Sequence, residues 1–197
     1  MTRAIVAGML ASAMQTAPQG VTEATVLDNA TVNVTRLRVA PGERKTVGDG
    51  TTSVVVISVD LGRPVFLEAN KNQLAINNGP KPLDLLAIRI KPTRPPAPAA
   101  PATEAPPGIT RTTLIDNADV RVVRVQFAPD GREPLHTHPN DLLTMQVTDG
   151  EVEIVAGADR SSALREAGFV QFIPRNVSHA YANADEKPFE LLSVSIK

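Results

Sequence analysis

From about Val21 onward, apolar and polar positions alternate with a period of two in short runs, each broken by turn residues. The run Thr31-Val32-Asn33-Val34-Thr35-Arg36-Leu37-Arg38-Val39 alternates cleanly and stops at Ala40-Pro41-Gly42. Val54 to Val59 is apolar apart from Ser58, which predicts a strand buried on both faces. Pro64 to Leu67 and Leu83 to Ile90 add further strands. Beyond the N-terminal leader, no window of helical length carries a 3.6-residue apolar stripe with caps. The expected fold class is all-β.

One stretch interrupts the pattern. Lys91 to Gly108 is crowded with proline and alanine and offers almost nothing that could pack, so it predicts an extended, semi-rigid tether. After it the chain repeats itself. Leu27-Asp28-Asn29-Ala30-Thr31-Val32 returns as Ile115-Asp116-Asn117-Ala118-Asp119-Val120, and Arg36, Ala40 and Pro41 return as Arg124, Ala128 and Pro129. Near the ends, Lys81-Pro82-Leu83 matches Lys187-Pro188-Phe189, and Ile90-Lys91 matches Ile196-Lys197. The offset grows from 88 (Asp28 to Asp116) to 106 (Lys91 to Lys197), so the first copy lacks 18 residues. Carried on in register, Gly62 falls opposite Gly150, which places the missing piece against Ala158 to Val177. The organisation read from this is a leader at 1–20, a first β-barrel at 21–91, a linker at 92–107 and a second barrel at 108–197. Face-to-face packing of the two barrels about a pseudo-two-fold axis is expected, because a 70-residue barrel alone has a poor core and open edges.

Composition narrows the function classes. A net charge of −1 and a pI near 6.3 give no sign of a polyanion partner, and no nucleic-acid module is present. The absence of cysteine removes disulfides, thiolate metal sites and thiol nucleophiles. No phosphate loop, nucleophile elbow or zinc-protease helix occurs. Arg3, the apolar run Ala4 to Ala13 and the small residues Ala11-Ser12-Ala13 form a signal-peptide pattern too short to span a bilayer. Periplasmic or secreted location is the expectation, with a cytoplasmic protein carrying a docked N-terminal segment as the alternative. The mature form then has no membrane contact, its partner is a small-molecule ligand, and homo-oligomerisation is left open.

The chemistry gathers between Gly131 and Asn183. All three histidines of the chain lie there, two as His136-Thr137-His138 and the third as His179. Residues i and i+2 of a strand point to one face, so the first pair can aim two imidazoles at one point, and a third from a facing strand makes a cage. Imidazole is a ligand for Fe, Mn, Ni, Zn and Cu, and ligand type alone does not choose among them. In register, the first copy has Gly48, Gly50 and Gln73 where the second has histidines.

Two motifs here resemble the cupin family. The first runs glycine, spacer, His-x-His, three or four residues, Glu, six residues, Gly. This chain gives Gly131, a short spacer, His136-Thr137-His138, Pro139 to Leu142, Leu143, six residues and Gly150. The second reads Gly168, five residues, Pro174-Arg175-Asn176, two residues, His179, three residues, Asn183, with Asn176 standing where the family has glycine. The resemblance implies two small jelly-roll barrels, the first degenerate, with a divalent metal held deep in one end of the second by His136, His138 and His179. It supplies no fourth ligand, because Leu143 occupies the place of the family's glutamate. Asp141, two residues earlier, shares Leu143's face by strand parity. Tyr181, i+2 from His179, is expected inward, and Asp141 and Tyr181 are the candidate catalytic groups. Leu143, Met145 and Val147 are expected to line the barrel and make its wall apolar. Arg124 and Arg175 are read as solvated surface more readily than as anion contacts. Two functions follow: a protein that binds a metal or small molecule, or a metal-dependent enzyme of dioxygenase, isomerase or lyase type.

Overall fold

A computed structural model describes residues 20–91, 105–156 and 159–197. The leader and most of the proline-rich linker lie outside these residues. The described chain contains strands and no helix, in agreement with the period-two reading.

The first unit has seven strands: β1 (Val21–Asp28), β2 (Val32–Val39), β3 (Arg44–Val47), β4 (Val54–Ser58), β5 (Arg63–Leu67), β6 (Gln73–Ile76) and β7 (Leu83–Ile90). The second has eight: β8 (Ile109–Asp116), β9 (Val120–Phe127), β10 (Asp141–Gln146), β11 (Gly150–Ala156), β12 (Asp159–Arg165), β13 (Val170–Ile173), β14 (His179–Asn183) and β15 (Phe189–Ile196). Each unit lays down a five-stranded sheet, in the order β1-β2-β7-β4-β5 and β13-β10-β15-β9-β8. The smaller sheets are β3-β6 in the first unit and β12-β11-β14 in the second. This is an all-β jelly-roll fold.

The central strands of the five-stranded sheets are apolar on both faces, and the two faces have different destinations. Val32 and Val34 of β2, Val55 and Ile57 of β4, Leu86 and Ile88 of β7 join one cluster with Val120, Val122, Leu143, Met145, Leu192 and Val194 of the second unit. The opposite faces fill each unit's own interior, with Leu37, Val54 and Leu85 in the first and Phe127, Leu142, Ile154 and Phe189 in the second. A strand between two cores has no polar face, which is why Val54 to Ile57 reads as an unbroken apolar run.

A pseudo-two-fold relation runs through the polar contacts as well. Lys91 Nζ bonds Asp28 and the Asn29 carbonyl, and Lys197 Nζ bonds Asp116 and the Asn117 carbonyl in the same way. Thr31 Oγ1 donates to Asp141 Oδ2 at 2.7 Å across the units, and Ser53 Oγ donates to Asp119 Oδ2 at 2.8 Å in the related position.

This relation corrects the repeat register. A Cβ on Gly62 (φ +56°) would meet Val147 Cγ1 at 2.8 Å and Arg124 Nη2 at 3.1 Å. A Cβ on Gly168 (φ +83°) would meet Val59 Cγ1 at 2.9 Å and Arg36 Nη2 at 3.0 Å. Val59 and Arg36 are the offset-88 partners of Val147 and Arg124, so Gly62 corresponds to Gly168, not Gly150. The 18 residues missing from the first unit are therefore Gly150 to Ala167, the β11–β12 hairpin. Where β10 leads into this hairpin, β4 turns directly into β5, and β5 pairs with β4 as β13 pairs with β10. Short strands of low contrast, β3 and β6 among them, carry no sequence signal strong enough to be read in advance.

Candidate metal centre

The site is built where the segment from Gly131 to His138 lies antiparallel along β14. Gly131 is required by close approach, since a Cβ there would stand 2.7 Å from the Gly108 carbonyl oxygen. The Glu133 amide donates to the Tyr181 carbonyl at 2.9 Å, and His136 and His179 exchange both backbone bonds at 3.0 and 2.9 Å. Directly opposed residues present their side chains on one face, so this register brings the first and third imidazoles together. His138 joins by its i+2 spacing, and its carbonyl accepts from the Asn176 amide at 2.8 Å. Asn176 adopts φ +61°, the left-handed conformation expected of a residue in a glycine position.

The ligand-type nitrogens of His136, His138 and His179 lie within 4.8 Å of one another, the one such group of three among the described residues. His136 Nδ1 is 2.8 Å from the Pro134 carbonyl and His179 Nδ1 is 3.1 Å from the Val177 carbonyl. A carbonyl only accepts, so both Nδ1 atoms carry protons and both Nε2 lone pairs are free. His136 Nε2 and His138 Nε2 stand 3.0 Å apart. That fits two nitrogens held at about 2.0–2.1 Å by one ion. Burial, then the charges of His136, His179 and Arg111, pushes His138 down to about 4. Burial also lowers His179, against the opposing hydrogen bond to Val177. All these features favour neutral imidazoles, the ligand form.

Asp141 is not in this group. Its carboxylate is buried on the other side of β10, accepting from Thr31 Oγ1 and, at 2.9 Å, from the Arg175 amide. Asp141 and Leu143 do share a face, and that face meets the first unit. Leu143, Met145 and Val147 lie in the core between the units, so the expectation that they line the barrel is wrong. The reason is parity. Leu142 sits in the second unit's own core and Thr144 Oγ1 lies 3.4 Å from Tyr181 Oη, so the even residues of β10 face the barrel. The interior wall of β10 is thus Leu142, Thr144 and Gln146, and two of the three are polar.

Tyr181 is inward and almost fully buried, as expected, with its ring centroid 5.9 Å from that of His179. Its hydroxyl donates to Gln171 Oε1 at 3.1 Å, and burial pushes its ionisation up to about 12, so it is a neutral donor at ordinary pH. Arg124 is structural: Nη2 donates to the Gly62 carbonyl at 2.8 Å and Nη1 lies 3.6 Å from Glu190. Asn183, at the end of the second motif, holds the carbonyls of Phe127, Ala128 and Lys187 through Nδ2.

Sequence reasoning missed a carboxylate close to the cage. Glu133 is nearly buried, pairs with Arg111 at 2.7 Å, and its charge acts on both His179 and Tyr181. Arg111 and Glu133 stand 22 residues apart on β8 and an irregular segment, so no spacing rule links them. Thr144 and Gln171 were hidden by the parity error, since the correct face of β10 pairs Thr144 with Gln171 across β13.

Comparison with known proteins points one way. The family profile described as "Cupin domain" matches residues 123–195. Over 91 residues, 46% of this chain and 96% of the relative, the chain is 29% identical to "Beta-alanine degradation protein BauB" of Pseudomonas aeruginosa. Two solved structures share the fold across nearly the whole chain. AerE from Microcystis aeruginosa is 12% identical with a TM-score of 0.66, covering 90% of this chain and 97% of that one. A cupin 2 conserved barrel domain protein from Leptotrichia buccalis is 16% identical with a TM-score of 0.59, covering 93% and 92%.

Proposed function

The chain belongs to the cupin superfamily, and on that footing we propose that its second barrel binds one divalent metal ion through His136, His138 and His179 and holds a small molecule beside it. The observation that carries this reading is the convergence of three imidazoles, two of them with Nδ1 tied to a carbonyl so that Nε2 turns inward. Three neutral ligands leave the ion's charge uncompensated, which draws anionic or polar groups to its open positions. The ion would be Fe, Mn, Ni, Zn or Cu, all of which accept imidazole. Export to the periplasm or outside belongs to the same proposal and is supported by the leader pattern alone. Elemental analysis of the purified full chain, with metal titration of the stripped protein, tests the reading. One ion per chain, lost in His179→Ala, is the expected result; a wild-type chain that takes up no divalent metal overturns it.

A second reading, a metal-dependent enzyme of dioxygenase, isomerase or lyase type, is favoured by the polar groups facing the cage. Tyr181 is a protonated donor next to His179, backed by Thr144 and Gln171, and Glu133 is held near by Arg111. In such an enzyme the ion would act as a Lewis acid or redox centre, while Tyr181 would orient the substrate by a hydrogen bond. Oxygen uptake with thiols, diketones or phenols that disappears on chelation would select this reading over binding alone.

A further inference from the structure

Beyond Tyr181, on the inward faces of β10 and β12, two buried N–H groups have no hydrogen-bond partner among the described residues. Gln146 is 4% exposed, and its Nε2 is buried with no hydrogen-bond partner. It shares the inward face of β10 with Thr144, two residues and about 7 Å farther along the strand. Arg165, the last residue of β12, stands directly opposite Gly150 and so shares the inward face of β11 with Val152 and Ile154. Its Nε is likewise buried without a hydrogen bond. Its guanidinium lies 4.1 Å from the centroid of Phe169, and the Phe169 carbonyl accepts from the Gln146 amide at 2.9 Å. Gln146 and Arg165 therefore meet around one residue, at the gap between β12 and β13, the edge strands of the two sheets.

The chemistry of this set is one-sided. Arg165 is half-buried, and half-buried arginines elsewhere in the fold are paired, as Arg111 is with Glu133 and Arg36 with Asp84. No carboxylate of the described residues pairs with Arg165. Gln146 adds N–H donors, and Tyr181, which closes the set toward the histidines, has its hydroxyl proton on Gln171 and brings no negative charge. Unused donors around an unpaired cation call for an anion rich in acceptors, and a planar fork matches a carboxylate best.

We propose that Arg165 and Gln146 form a carboxylate subsite inside the second barrel, so that the small molecule held beside the histidines is a carboxylic acid. This rests on the barrel interior being a ligand site, the reading given above, but it is tested without the metal. Tyr181 is the only tyrosine and the chain has no tryptophan, so intrinsic emission reports from the wall between the two sets. The chelator-treated full chain is titrated with propionate, and with sulfate and phosphate at matched ionic strength, while tyrosine emission is followed. A saturable change is expected with propionate, weakened at least about tenfold in Arg165→Met and Gln146→Leu. Arg165→Lys, which keeps the charge without the fork, should fall between wild type and Arg165→Met, and circular dichroism verifies that each variant is folded. No saturable response in the wild type overturns the proposal, as does an Arg165→Met variant that titrates like the wild type. Sulfate or phosphate binding as tightly as propionate overturns the carboxylate assignment. Failure of the metal reading shows separately, as absence of metal in elemental analysis, and leaves the propionate titration unaffected.

Discussion

Replacing Leu143 by glutamate separates the family motif from the geometry of this chain. Counted along the motif, Leu143 holds the place of a metal-binding glutamate, and Leu143→Glu would restore the carboxylate. The structure expects the opposite. Leu143 is 0% exposed and belongs to the core between the units, with Val122, Met145 and Val194. Removing a buried leucine side chain forfeits about 1.5–3 kcal/mol. A carboxylate in that core takes up a proton instead of ionising. Holding the proton at pH 7, against an ordinary glutamate value near 4.3, costs about 3.7 kcal/mol. The sum, about 5–7 kcal/mol, rivals the whole stability of a typical domain.

Urea denaturation read by circular dichroism measures this. Leu143→Glu should lose most of its stability at pH 7. Its folded-state ionisation is raised above the unfolded value, so the charge-related loss is absent below about pH 4.3 and grows as pH rises toward neutrality. Metal titration of the same variant should show no gain. Leu142→Glu is the counterpart, because Leu142 shares the barrel-facing side of β10 with Thr144. A carboxylate there should tighten divalent metal binding by about tenfold or more. A stable Leu143→Glu protein with tightened metal binding would refute the strand parity and everything argued from it.

His179→Ala should abolish metal uptake, whereas Asp141→Ala should keep one ion per chain and lose about 2–4 kcal/mol in urea denaturation, because its bond to Thr31 joins the units and its bond to the Arg175 amide fixes the loop between β13 and β14. The depressed ionisation of His138 predicts that the metal-free protein keeps full stability above pH 6.5 and loses some of it as pH falls from 6.5 through about 4, since the unfolded chain protonates first. Thermal melts across that range should show a shallower slope for His138→Gln. Asn183→Ala should cost about 2–4 kcal/mol by orphaning the carbonyls it holds, and Asn77→Ala, which releases Val39 and Lys81, should cost a similar amount without touching metal stoichiometry.

The fold class, the face-to-face packing of the two units and the convergence of three histidines were legible in the sequence. Each is carried by a pattern that repeats, whether the period-two alternation, the duplicated Asp-Asn-Ala turn or His-x-His. What failed was the face of β10. Every residue from Asp141 to Gln146 is buried, so the strand shows no alternation from which parity can be read, and a one-residue choice turned the whole strand over. That choice hid Thr144 and Gln146 and made the wall seem apolar. The hairpin register failed for a similar reason, since Gly62 can be matched to Gly150 or Gly168 by residue type alone. Only the contacts with Val147 and Arg124 decide between them. Glu133 and Arg165 were illegible because their meaning is tertiary: one charge has a partner 22 residues away, and the other has no carboxylate partner among the described residues.

The duplicated chain divides its labour along this line. The clamp Asn183 has a counterpart in Asn77, whose Nδ2 holds the Val39 and Lys81 carbonyls as Asn183 holds Phe127 and Lys187. Arg36–Asp84 likewise repeats as Arg124–Glu190. The groups shared by both units are those that fix loops and join sheets. The groups found in one unit only are the histidines, Tyr181 and the β11–β12 hairpin with Arg165 at its end. That hairpin extends the smaller sheet of the second barrel, where β11 pairs with β14. The first unit lacks this extension, its smaller sheet having two strands, and it lacks the histidines as well. The same unit still presents Val32, Val34, Val55 and Ile57 to Leu143 and Met145, and so covers the face of the site-bearing sheet that would otherwise meet water.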